Sequence, residues 1–317
     1  MTRQARIGEK RDERLKGILC LCAGIALFSI QDVIIKLMSG EYPISEAMTI
    51  RSLTALPLLT GLVYLNGGLA TLRSPHMAQL ITRGVLNLIA YTGYYLGLAA
   101  LPMASCVALF FTAPLFIVAL SVPVLGERVG YRRWTAVIVG FLGVILMMRP
   151  GSDLFDWAAL LPAGAASAYA FAQIIARRLG EREGAAVMTF YSNALFLSGG
   201  LLLAVLFGPG GYGGVGHKSL DFLLRGWAVP TSVDLLSMAL CGVIAAAALP
   251  LLTQAYRIAQ ANVVAPFEYT AMIWGVLYGW LVFDQLPQSW AWMGIALIGG
   301  AGIFVLSRER RSPSTHV

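Results

Sequence analysis

The chain has 317 residues and a formal net charge of +7; 58% of its residues are hydrophobic, 12% are charged, and mean hydropathy is +0.73. That composition excludes a pair of soluble domains, because no water-soluble core buries so large an apolar share of a chain this size. The apolar residues fall in runs of about 20, the length a helix needs to cross roughly 30 Å of hydrocarbon, so the chain reads as an all-α integral membrane protein.

Residues 1–16 form a basic tail carrying Arg3, Arg6, Lys10, Arg11, Arg14 and Lys16. The first apolar run, Ile18 to Met38, is too long for a cleavable signal peptide and has no small-residue cleavage site behind it. It is expected to stay as a span. Ten spans are predicted: 17–37, 45–65, 79–100, 103–124, 132–148, 157–176, 185–207, 233–255, 262–283 and 289–306. With the N-terminus in the cytoplasm, 18 of the 23 Lys and Arg residues fall on the inner side; Lys36, Arg51, Arg149, Lys218 and Arg225 fall outside. This split satisfies the positive-inside rule and predicts both termini in the cytoplasm. It also accounts for the positive charge without nucleic acid. Cys20, Cys22, Cys106 and Cys241 all lie in predicted spans, form no C-x-x-C motif, and read as small core residues.

The chain is written twice. Thr112 and Thr270, Ala113 and Ala271, Glu127 and Gln285, and Trp134 and Trp292 each stand 158 apart, while AGIALFSIQDVIIKLMSG (23–40) lies over AGAASAYAFAQIIARRLG (163–180) at an offset of 140. Fixed offsets through several elements mark a duplicated unit. The difference places 18 extra residues in the second copy, in a Gly-rich outer loop over 208–233. The division expected is a first five-helix repeat over 17–150, a second over 151–307, and a cytoplasmic tail over 308–317. Five spans per copy means the second enters the membrane inverted, the plan of many secondary transporters, with the substrate near the midplane between the halves.

Further features carry a resemblance. Pro114, the Leu125-Gly126-Glu127 run before Trp134, Gly140-x-x-Gly143, Arg149-Pro150 and Ala261-Asn262-Val263-Val264-Ala265 resemble the drug/metabolite transporter superfamily, and within it the EamA-type ten-helix transporters. The resemblance implies the ten-helix inverted-repeat fold, a bacterial inner membrane, and alternating-access transport of a small metabolite, with export favoured. One departure is Asp284-Gln285 where the first copy has Gly126-Glu127, which fits an outer turn.

Polar residues inside spans are costly and each needs a reason. Span 1 holds Gln31, Asp32 and Lys36; Asp32 and Lys36 are four apart and share a face. They read either as an ionisable pair beside the pathway or as a structural ion pair whose lysine snorkels to the outer rim. Arg51 has Glu46 and Asp32 as candidate partners. Glu268 lies about six residues, roughly 9 Å, into the ninth span and is the first candidate for substrate or proton binding. Span 3 places Asn87, Tyr91, Tyr94 and Tyr95 at helical spacing, span 6 Tyr169 and Gln173, and span 9 Tyr269, Trp274 and Tyr278. Aromatic rings with polar tips suit a cavity that stacks on an organic substrate; helix packing or an interfacial aromatic belt is the plainer alternative. Glu127 with Arg128, Arg132 and Arg133 reads as an inner-loop cluster, and Gly140, Gly143, Gly299, Gly300 and Gly302 as sites of close helix contact. His76, His217 and His316 lie in loops or tails and form no metal set, and phosphate-cradling and hydrolase motifs are missing from the sequence.

The expectation is therefore secondary transport of a small organic metabolite, amino-acid-like and zwitterionic or cationic, by export, with protons as a candidate coupling ion. It involves no enzyme activity, cofactor or nucleic acid. Two alternatives stand beside it: import or exchange of a nucleoside-like or vitamin-like metabolite on the same fold, and a non-transporting membrane receptor or assembly factor.

Overall fold

A computed structural model describes residues 3–125, 131–148, 156–180, 182–259, 264–287, 289, 291–297 and 300. Among them the chain is helical, with no strand. The helices are α1 (Arg3–Met38), α2 (Ile44–Leu65), α3 (Met77–Ala100), α4 (Met103–Phe110), α5 (Ala113–Leu125), α6 (Tyr131–Met148), α7 (Leu160–Leu179), α8 (Ala185–Phe207), α9 (Lys218–Leu224), α10 (Ser232–Ile258) and α11 (Thr270–Phe283).

Six stretches among the described residues are long and apolar enough to cross a bilayer: Glu13–Met38, Ile44–Leu65, Met103–Val124, Trp157–Leu179, Ala185–Phe207 and Ser232–Ile258. The predicted third span, α3, is long enough at 24 residues, but Gln79, Arg83, Asn87 and its tyrosines dilute its hydropathy. The ninth appears as a shorter apolar helix, Phe267–Phe283; residues 262 and 263 of the ninth span and 290, 298, 299 and 301–306 of the tenth lie outside the described residues. The basic tail is helical from Arg3 and continuous with α1. Glu127 and Arg128 of the inner-loop cluster, His316, Gly299 and Gly302 also lie outside what the structure describes, whereas Arg132 and Arg133 fall in the first turn of α6.

Many large apolar side chains on the surface, such as Leu65, Ile89, Leu202 and Val205, are exposed. A membrane helix presents such residues to lipid. Inside, α1 packs along α10, α3 along α7, and α2 along α8, with further contact of α2 on α10 and α3 on α8. Small residues allow this closeness at chosen points. A Cβ on Gly242 of α10 would meet the Arg51 carbonyl oxygen at 2.4 Å, and one on Gly97 of α3 would meet Pro162 Cδ at 2.7 Å. Gly300, expected to serve the same purpose, faces open space.

The span over Met103–Val124 is broken at Phe111 and Thr112, between α4 and α5. Pro114 is the cause: it has no N–H for the carbonyl four residues back, and its ring clashes there. The stretch that matches it 158 residues on also starts irregularly, with a 3-10 turn Ala265–Tyr269 ahead of α11. At both breaks a threonine hydroxyl bonds back three residues, Thr112 to the Leu109 carbonyl at 2.9 Å and Thr270 to the Phe267 carbonyl at 2.8 Å. Phe111 and Tyr269, again 158 apart, pack ring to ring at 5.4 Å.

The Gly-rich loop is more ordered than its composition suggests. Gly210, Gly211, Gly214 and Gly216 take positive φ and lead into α9, whose Phe222 is fully buried. Ser219 Oγ donates to the Leu96 carbonyl at 2.7 Å and Trp227 Nε1 to Ser45 Oγ at 2.9 Å. The loop thus lies over the ends of α2 and α3.

Candidate functional site

A cavity lies where α1, α3, α4, α7, α10 and the 3-10 turn before α11 converge. The open space it encloses, mouth included, is about 650 Å³. The broken helices help to make it. Phe110 and Phe111 stand at the α4 break and Glu268 sits in the 3-10 turn, so irregular backbone at both places faces the same space. Discontinuous helices in corresponding halves are the structural setting in which membrane carriers bind substrate.

Six residues read from the sequence line this cavity: Asp32, Tyr91, Tyr94, Tyr95, Tyr169 and Glu268. Helical periodicity explains the grouping. Phe28 and Asp32 share one face of α1, and Tyr91, Tyr94 and Tyr95 one face of α3. The rings are in contact: Phe28 stacks on Tyr91 at 5.8 Å, Tyr94 meets Phe110 at 5.0 Å, and Phe110 meets Tyr169 at 5.3 Å.

The two carboxylates are held in the same manner. Tyr94 donates to Asp32 Oδ2 at 2.9 Å. Tyr169 donates to Glu268 Oε1 at 3.0 Å, and Tyr256 donates to that same oxygen. Neither carboxylate forms an ion pair among the described residues. In each, tyrosine fixes one oxygen, and the other carries no hydrogen bond among the described residues. A carboxylate oriented in this way presents an acceptor to a donor or a positive charge entering the cavity.

Other expected residues sit elsewhere. Lys36 does not pair with Asp32. Its Nζ donates to the carbonyls of Leu98 and Leu101 at 2.7 and 2.6 Å, where the C-terminal end of α3 offers unpaired, partly negative oxygens. Arg51 pairs with neither Glu46 nor Asp32. It is buried, donates through Nε to Gln31 Oε1 at 3.0 Å, and lies 4.8 Å from the Phe196 ring centre. Gln31 itself sits behind the wall, donating to the Tyr95 hydroxyl. Tyr269 packs on Phe111, and Trp274 and Tyr278 stack on each other at 5.8 Å; none of the three lines the cavity. Asn87 and Gln173 are buried away from its lining. His76 and His217 pair across loops with Glu183 and Asp156 at 2.9 and 3.1 Å. Tyr256 was missed from the sequence. Its signal was a phenol one turn beyond Leu252, hidden beside Arg257, which reads as an end-of-helix charge. Phe110 and Phe111 gave no signal, since a phenylalanine in an apolar run looks the same whether it faces lipid or substrate.

The EamA-like transporter family matches residues 15–149. A riboflavin transporter of Rhizobium johnstonii is 33% identical over 292 residues, covering 91% of this chain and 90% of its own. A riboflavin transporter of Vibrio cholerae is 29% identical, covering 94% of this chain and 95% of its own. An S-adenosylmethionine uptake transporter of Rickettsia prowazekii is 25% identical, covering 95% and 96%. A solved crystal structure superposes with a TM-score of 0.63 at 19% identity over 93% of this chain and 98% of that one, a likeness of fold alone.

Proposed function

The chain belongs to the EamA-like transporter family, and on that premise we propose that it takes up a riboflavin-like metabolite through the cavity between α1, α3, α4, α7 and α10. Transport of a small metabolite is the common function of the relatives described above. Import replaces the export favoured from the resemblance, because the Rickettsia prowazekii relative is named for uptake and the more similar relatives are named for a vitamin. A receptor or assembly factor has no counterpart among those relatives.

The observation that carries the proposal is an aromatic-walled cavity whose two carboxylates each keep one oxygen free of hydrogen bonds among the described residues. A flavin ring is flat and polarisable, and stacks on phenol rings. The N–H on its pyrimidine edge is a donor for Glu268 or Asp32. Carboxylates without a counter-ion also favour a second reading, an S-adenosylmethionine-like cation held by charge and by cation–π contact.

The pairing of helices supports the duplicated plan. The offsets map α1 onto α7 and α3 onto α10, so the α1–α10 contact becomes the α7–α3 contact, and the Phe111–Tyr269 pair maps onto itself. With ten spans and inverted halves, both termini lie in the cytoplasm of a bacterial inner membrane. Glu268 and Asp32 are the candidates for proton coupling, which predicts uptake that follows an imposed proton gradient.

Growth tests the function. A riboflavin-auxotrophic bacterium without an importer should grow at low external riboflavin when it expresses this chain, and should not with Glu268→Gln. Growth equal to an empty control, with the chain present in the membrane, would reject riboflavin import.

A further inference from the structure

Beyond the cavity, toward the N-terminal end of α3, the bundle interior stays polar. Tyr91 lines the cavity, and Asn87 and Arg83 follow it on the same face at four-residue steps, about 6 Å each. Both are buried, at 2% exposure. Arg83 Nη1 donates to Ser192 Oγ at 2.7 Å and to the Met188 carbonyl at 3.1 Å, and Nη2 donates to Thr253 Oγ1 at 2.9 Å. Asn87 Nδ2 donates to the same Ser192 Oγ at 3.1 Å. Among the described residues no carboxylate pairs with Arg83, although a buried cation ordinarily requires one.

Among the described residues, three atoms of this region have no hydrogen-bond partner: Arg83 Nε, Asn87 Oδ1 and Gln173 Oε1. Gln173 stands on α7, one turn beyond Tyr169. The antiparallel register of α3 and α7 is set by Gly97 against Pro162 and Gly93 against Ala165. Continued along the helices, it brings Gln173 to the level of Arg83 and Asn87. Buried polar groups are nearly always paired, and unpaired ones need an explanation. One donor and two acceptors together are the complement of alcohol groups, each of which both donates and accepts.

We propose that Arg83, Asn87 and Gln173 form a second station on the path, which binds the hydroxylated chain of the substrate while the aromatic cavity holds its ring. The station rests on the flavin reading above. It makes the polyol chain, and not only the ring, a determinant of affinity.

The test uses two probes: riboflavin, and lumiflavin, which has the same ring with a methyl group in place of the ribityl chain. Binding to purified protein is followed by flavin fluorescence. Gln173→Leu and Asn87→Leu each remove a leftover acceptor. Each should weaken riboflavin about three- to tenfold and leave lumiflavin affinity unchanged. Gln173→Leu replaces an unpaired amide with an apolar group of similar size, so its thermal midpoint should match or exceed that of the wild type. Wild-type binding of riboflavin with both variants unaffected, or with both probes weakened alike, overturns the station while leaving the flavin reading intact. A wild type that binds neither probe overturns the flavin reading and the station with it.

Discussion

Replacing Glu268 by Gln isolates one carboxylate with little disturbance of its surroundings. Tyr169 and Tyr256 both donate to Oε1, and an amide oxygen at that position can accept the same two bonds. The second oxygen, which has no hydrogen bond among the described residues, becomes an N–H₂ group. A substrate N–H that met an anionic acceptor would then meet a donor. A hydrogen bond to a charged group is worth about 1.5–3 kcal/mol, so the dissociation constant for riboflavin should rise roughly tenfold to a hundredfold. Stability should change little, because a buried charge is lost while its packing stays. Glu268→Ala differs: it strands two buried tyrosine hydroxyls, each at about 1–3 kcal/mol, and should lower the thermal midpoint clearly. The assay is a fluorescence titration in detergent beside thermal unfolding of the same samples. Glu268→Gln with wild-type affinity and an unchanged midpoint would refute the assignment of Glu268 as the substrate acceptor.

Other perturbations follow from the same geometry. Tyr94→Phe removes the hydroxyl that orients Asp32 at 2.9 Å but keeps the ring, so riboflavin affinity should fall by less than for Asp32→Asn, as read in the same titration. Lys36→Met should lower the thermal midpoint by stripping the donor from the Leu98 and Leu101 carbonyls; flavin affinity should be unchanged, whereas a lysine paired with Asp32 would alter it. Gly242→Ala forces a methyl group to within 2.4 Å of the Arg51 carbonyl oxygen, which should cost about 1–3 kcal/mol of stability. Gly300→Ala, with nothing within 4 Å, should cost none, and thermal unfolding of the pair compares them.

What the sequence made legible follows from how strongly a residue's cost depends on its setting. A carboxylate in an apolar run is expensive wherever it points, so Asp32 and Glu268 were visible without a structure. The tyrosines of α3 were visible through helical spacing. The partners were not. Lys36 lies one turn from Asp32, but the carbonyls at the end of α3 are a tertiary feature and they capture it. Arg51 has carboxylates within reach in the sequence and Arg83 counts only as one of the inner-side charges, yet the structure buries both among neutral donors and acceptors. Trp274 and Tyr278 had the right spacing on a helix that turns them to each other instead of the cavity. Which face of an apolar helix meets lipid is set by its neighbours, and no local pattern records that.

Counterflow tests the central claim most directly. Purified protein is placed in liposomes loaded with unlabelled riboflavin, and labelled riboflavin is added outside. The account predicts rapid accumulation of label, abolished when the vesicles are empty and strongly reduced by Glu268→Gln. Label that enters no faster than into protein-free liposomes, while vesicles loaded with S-adenosylmethionine exchange it readily, would contradict the flavin reading and select the cationic substrate in its place.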